Sequence, residues 1–214
     1  MDTSGVRRAA LAGVVGPLGF LLVAFGEALA RPKVLGAQGW RSWPSDMALG
    51  GAAGLPQIGA FLLLAICYPV FALGALRPET GNRAAWGGFL GVAAGDLMLA
   101  FRTDGPGTGV SWHGEVHLAG VILVTAATAV AAAGVTAATW RRLPWRPWRR
   151  LGAPAVALGV AVGALAGFDQ GWAKVVYVIG VTAPVPLVAV LVRRDLVRRD
   201  LAGSAAADPA PARR

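Results

Sequence analysis

Six apolar runs separated by short polar connections constrain this chain more than any other feature. They cover residues 9–30, 52–76, 84–101, 116–140, 151–168 and 173–192. A helix needs about 20 apolar residues to cross the roughly 30 Å hydrocarbon core of a bilayer. Lipid offers no partner to backbone N–H and C=O groups, so a helix that bonds to itself is the economical way to cross. The runs are apolar all round, so periodicity does not sort them. Length and polarity argue for an all-α polytopic membrane protein, a bundle of six transmembrane helices spanning residues 1–202. The third and fifth runs are short and rich in glycine. The end of the chain, 203–214, combines small residues, proline and charge and is expected to be a disordered cytoplasmic tail.

Composition supports this reading. Charged residues make up 14 % of the chain and hydrophobic residues 56 %, against roughly 25 % charge in an average soluble domain. Mean hydropathy is +0.58. The net charge of +9 could suit nucleic acid, but its placement argues otherwise. Fifteen of the 20 Lys and Arg flank one side of the predicted helices: Arg7 and Arg8, Arg77 and Arg83, Arg141 to Arg150, and Arg193 to Arg214. The positive-inside rule puts that side, with both termini, in the cytoplasm of a cell-membrane protein. There the arginines meet anionic lipid heads, and no nucleic acid is needed. The eight tryptophans fall at predicted helix ends, where amphipathic rings gather. Arg7–Arg8 before an apolar run that closes on Ala28–Leu29–Ala30 also suits a secretory signal. The run exceeds the usual span of about 7–15 residues, so it is expected to stay as the first helix. The single Cys67 leaves no intrachain disulfide to consider.

The opposite side gathers the chemistry. Six of the eleven acidic residues map there, Glu27, Asp46, Asp96, Asp104, Glu115 and Asp169, with both histidines, His113 and His117. Asp46 in "WPSDMALGG" can cap the second helix or hold a ligand. Asp96 is an ionisable group about one turn inside a span, which is costly unless paired and is a functional hypothesis by default. Asp104 follows a helix end whose dipole disfavours an anion, so Arg102 or Lys174 could compensate it, or Asp104–Gly105 is simply a turn. His113 and His117 stand four apart and would share a face if helical. That pair could form half of a zinc site, with Asp46, Asp104 or Glu115 supplying oxygens, or His117 could hydrogen-bond a carboxylate at the mouth of the bundle. Glu115 suits a helix start without further role. Lys174 is expected to snorkel to the head groups, and Glu27 to reach the interface. Pro184 and Pro186 predict a kink in the last helix.

"WPSDMALGG" and "FRTDGPG…SWHGEVHLAG" together resemble the bacterial membrane family called domain of unknown function 998. The matching positions are Ser45, Asp46, Gly50, Phe101, Asp104, Gly114 and His117. His113 is not in that pattern, and Lys174 stands where the family usually carries arginine. The family is more distantly similar to the DRAM/Sfk-type six-helix membrane proteins, some linked to lipid handling, which implies a lipid-facing role by analogy alone. The sequence therefore suggests an outward-facing cluster of Asp46, Asp96, Asp104 and His117, with Arg102 and Lys174 as counter-charges. It would bind a lipid or small amphiphile without catalysis or cofactor. The alternatives are a zinc-dependent membrane hydrolase, with Asp96 or Glu115 moving protons, and a proton-coupled transporter using Asp96 and His117.

Overall fold

The computed structural model describes residues 3–30, 54–101, 111–165 and 171–207, and these are helical with no strand among them. The first helix, α1, is Thr3–Ala30. The second, α2, is Leu55–Phe71, continued by a π-helical turn Ala72–Leu76 and a last α turn Arg77–Thr80. Next come α3 (Arg83–Leu99) and α4 (Trp112–Thr139). A connector with a 3₁₀ turn Leu143–Trp145 and a π turn Trp148–Gly152 leads into α5 (Ala153–Leu165). The chain closes with α6 (Gly171–Thr182) and α7 (Pro184–Ala207). Among the described residues, four stretches are long and apolar enough to cross a membrane: Thr3–Ala30, Leu55–Thr80, Trp112–Thr139 and Trp172–Ala202. The third and fifth predicted helices are the short ones, as their sequences suggest. Leu22, Ile66 and Ile122 are more than 60 % exposed. Such surfaces are expected of a multi-pass membrane protein, whose outer faces meet lipid.

Local chemistry sets the boundaries. Helix α4 begins at Trp112, earlier than residue 116 expected from hydropathy, because Ser111 is its N-cap and accepts from the Gly114 N–H at 3.4 Å. The turn from α2 to α3 passes through Gly81 at φ 63°, the left-handed region glycine enters without strain. Asn82 then caps α3, accepting from the Ala84 and Ala85 N–H groups. The kink expected from Pro184 and Pro186 is a break at Ala183 between α6 and α7. The last helix runs to Ala207, past the start of the expected tail; residues 208–214 lie outside the described set.

Consecutive helices pack as antiparallel hairpins, α1 with α2, α3 with α4, and α5 with α6, and α1 also packs on α7. Small residues let their backbones approach. A Cβ at Gly88 would come within 2.6 Å of the Ala131 backbone N, and one at Gly180 within 2.7 Å of the Gly159 Cα. In lipid, where apolar contact alone does not drive association, such close contact supplies the packing energy. Gly13 against Phe71, Gly16 against Cys67, and the Phe20 and Phe61 rings at 5.3 Å fix the α1–α2 register.

The charged residues at one end form a structure that sequence reading did not anticipate. The Glu79 Oε1 accepts from Arg142 at 2.5 Å and from Arg199 at 2.7 Å. The Arg199 guanidinium also donates to Asp195 at 3.0 Å. Arg7 donates to Asp200 at 2.7 Å, which joins the two terminal helices. The Glu79 side chain is 1 % exposed. Arg149 donates to the carbonyls of Thr139 and Arg142, which also accept from the Arg142 and Trp145 N–H groups just past the end of α4. These contacts gather the start of α1, the end of α2, the connector and α7 at one basic end. Two tryptophans depart from the interfacial placement: Trp145 and Trp148 are buried there, and the Trp148 indole donates to Thr136 Oγ1 at 3.0 Å. Trp112, Trp140 and Trp172 are exposed as expected.

Candidate functional site

Toward the end opposite the arginines, α1, α2, α3, α4 and α6 enclose a cavity of about 60 Å³. A cavity needs roughly 10–15 Å³ to hold one water, so this one has room for several waters or a short chain. Most of its wall is apolar: Phe20, Phe61, Leu64, Val92, Val124 and Val178 stand among the lining residues. The polar lining groups are Asp96, His117, Tyr68, Tyr177, Thr128 and Thr182.

Helical spacing presents these groups. On α4, His117, Val121, Val124 and Thr128 recur at three- and four-residue steps and turn one stripe inward. On α3, Val92, Asp96 and Leu99 do the same. On α6, Tyr177, Val178, Val181 and Thr182 complete the wall before the break at Ala183. Gly95 and Gly120 bring α3 and α4 together there: a Cβ at Gly120 would lie 2.9 Å from the Gly95 carbonyl.

The polar groups are not equivalent. The His117 Nδ1 lies 3.0 Å from the Phe101 carbonyl. A carbonyl only accepts, so Nδ1 carries the proton in that bond. The Tyr177 and Thr125 hydroxyls share a hydrogen bond of 2.6 Å, and Thr125 also donates to the Val121 carbonyl at 2.7 Å. Asp96 differs. It is 3 % exposed, and its buried Oδ2 has no hydrogen-bond partner among the described residues. Gln57, fully buried near the start of α2, likewise has both amide atoms without a described partner.

Of the residues singled out from sequence, the structure brings Asp96 and His117 to one cavity. Both are buried within the bundle. Asp46, Arg102, Asp104 and Asp169 lie outside the described residues. His113, one turn before His117 on the same helix, is exposed where His117 is buried, and it stacks on Trp112 with ring centroids 3.7 Å apart. Among the described residues no group of three His, Cys, Asp or Glu side chains is placed to hold a metal. Glu115 is exposed in the first turn of α4, where the dipole favours it. Lys174 is 8 % exposed and Glu27 9 %, so both are largely covered by the protein. Sequence reading missed Tyr177, Thr182 and Gln57. Hydroxyls and amides within apolar runs are common in packed helices, and only the fold tells which of them turn toward a cavity.

The family model described as Protein of unknown function (DUF998) matches residues 9–203. No curated protein and no solved structure matches the chain.

Proposed function

Because the chain belongs to the DUF998 family of proteins of unknown function, a family name that assigns no chemistry, we propose its role from the cavity. It is a non-enzymatic membrane protein that holds the end of a lipid or small amphiphile inside its helix bundle. One observation carries this reading: a buried acid and a buried histidine, Asp96 and His117, share one cavity whose other walls are mainly apolar. Ligand sites usually take this form, an apolar concavity with a few polar groups that orient what enters. The resemblance to the DRAM/Sfk-type proteins suggested by the sequence would point toward lipids by analogy.

In this reading all six hydrophobic segments cross the cell membrane. Helix α3 has 17 residues, about 26 Å at 1.5 Å per residue, which spans most of the hydrocarbon layer with little tilt. The basic end lies in the cytoplasm with both termini, and the cavity opens toward the other face.

Filling the cavity tests the reading. The protein, purified in lipid nanodiscs, is loaded with an alkyl diazirine probe and photolysed, and the labelled peptides are mapped. Labelling is expected on peptides carrying Asp96, His117 or Tyr177. Val178→Phe and Val124→Phe, which put bulk into the cavity from two different helices, should each abolish it. Undiminished labelling in both variants, each still monodisperse, would remove the cavity from consideration.

A further inference from the structure

Resting on that reading, we infer that the cavity selects an amphiphile whose head donates hydrogen bonds and carries positive charge, a single-chain primary amine, over neutral or anionic analogues. The argument starts from what each polar group in the wall still lacks. The His117 Nδ1–H is committed to the Phe101 carbonyl at 3.0 Å. The Tyr177 hydroxyl is bonded to Thr125 at 2.6 Å. Asp96 is 3 % exposed, with a buried Oδ2 that no described donor reaches. Every described guanidinium that forms an ion pair is engaged at the basic end, with Glu79, Asp195 or Asp200.

An ionised carboxylate has only acceptors to offer. In an apolar enclosure it is costly unless donors and opposite charge meet it. An ammonium head brings both, and a hydrogen bond between ionised partners is shorter and roughly twice as strong as a neutral one. An alcohol brings one donor and no charge. A fatty acid brings a second carboxylate beside Asp96, and like charges in a dry site repel. Size limits the tail: about 60 Å³ takes a head and a few methylenes, so the remainder of a single chain must lie outside the cavity. A two-chain phospholipid does not fit such a space.

The test compares octylamine, octanol and octanoate as competitors of the photolabelling described above, with unmodified protein in neutral phosphatidylcholine nanodiscs at pH 7. Octylamine is expected to displace the probe at about tenfold lower concentration than octanol, the lower end for a charge-assisted bond. Octanoate should be weakest. Asp96→Asn, which keeps the shape of the side chain, should abolish the amine preference while octanol competes unchanged. Equal competition by amine and acid, or an amine preference that survives in Asp96→Asn, overturns this inference and leaves amphiphile binding intact. If none of the three competes, the binding reading itself fails. The order among the three competitors in unmodified protein decides the matter even if Asp96→Asn does not fold.

Discussion

Replacing Glu79 should destabilise the protein more than any other single loss of an acid at the basic end. Its carboxylate is 1 % exposed and meets two guanidiniums, Arg142 at 2.5 Å and Arg199 at 2.7 Å. Removing one partner of a fully buried pair costs about 3–5 kcal/mol. Here the arginines are 35 % and 55 % exposed, so water takes back part of their charge, and Asp195 remains 3.0 Å from Arg199. Both facts lower the figure, to about 2–3 kcal/mol for Glu79→Ala and about 1–2 kcal/mol for Glu79→Gln, which keeps an acceptor at the same place. The arginines must be separated from the site as a whole, and a double-mutant cycle does this. In SDS-induced unfolding from mixed micelles, Glu79→Gln combined with Arg142→Gln should show a coupling of about 1–2 kcal/mol. The Arg7–Asp200 pair has the same chemistry at 2.7 Å with both side chains 40 % exposed, and its coupling should fall below about 0.5 kcal/mol. A Glu79–Arg142 coupling no larger than that of Arg7–Asp200 would refute the claim that burial makes this network matter.

Other consequences can be measured in the same preparation. Gly88→Val forces α3 away from the Ala131 backbone and should cost about 1–3 kcal/mol in unfolding, whereas Gly87→Ala, with open space around it, should be neutral or slightly stabilising; equal effects would contradict the close α3–α4 approach. Tyr177→Phe loses the bond to Thr125 and should cost about 1 kcal/mol, checked in the same titration, with no loss expected if the two hydroxyls do not meet. In a Cys67→Ser background, Gly109→Cys should react with an impermeant maleimide on intact cells, and labelling seen only after permeabilisation would reverse the proposed orientation.

How much of this was legible beforehand follows from the kind of physics involved. Helices and their approximate limits follow from hydropathy, because lipid imposes one solution on an apolar run. The broken last helix follows from Pro184 and Pro186, since proline removes a donor wherever it stands. Asp96 and His117 are conspicuous because polarity within an apolar run is rare. The Glu79–Arg142–Arg199 network was not legible: its members are 63 and 120 positions apart, and a rule that sorts arginines by side treats each as facing lipid heads. The buried Trp145 and Trp148 misled for a related reason. A tryptophan at a helix end can face lipid or fold back under the connector, and only the path of residues 141–152 decides. His113 shows the limit of spacing arguments: a four-residue interval aligns side chains only to within about 40°, enough to leave one ring stacked at the surface and the other inside.

Burial alone does not distinguish a structural acid from one awaiting a ligand; the partners do. Glu79 and Asp96 are both acids at most 5 % exposed in the same bundle. Two guanidiniums reach the first, and together they link the end of α2, the connector and α7. No described donor reaches the Oδ2 of the second, which lines a cavity. A group whose needs are met by the fold holds the fold together, and its removal should read out as stability. A group whose needs the described fold leaves unmet weakens the protein by its presence, and selection would replace it with an apolar residue of similar size unless something else uses it. On this argument Asp96→Leu should leave unfolding stability equal or higher while abolishing amine-selective binding, and Glu79→Leu should do the reverse. A loss of stability at Asp96→Leu as large as at Glu79→Leu would make Asp96 a structural residue and end its claim to a ligand.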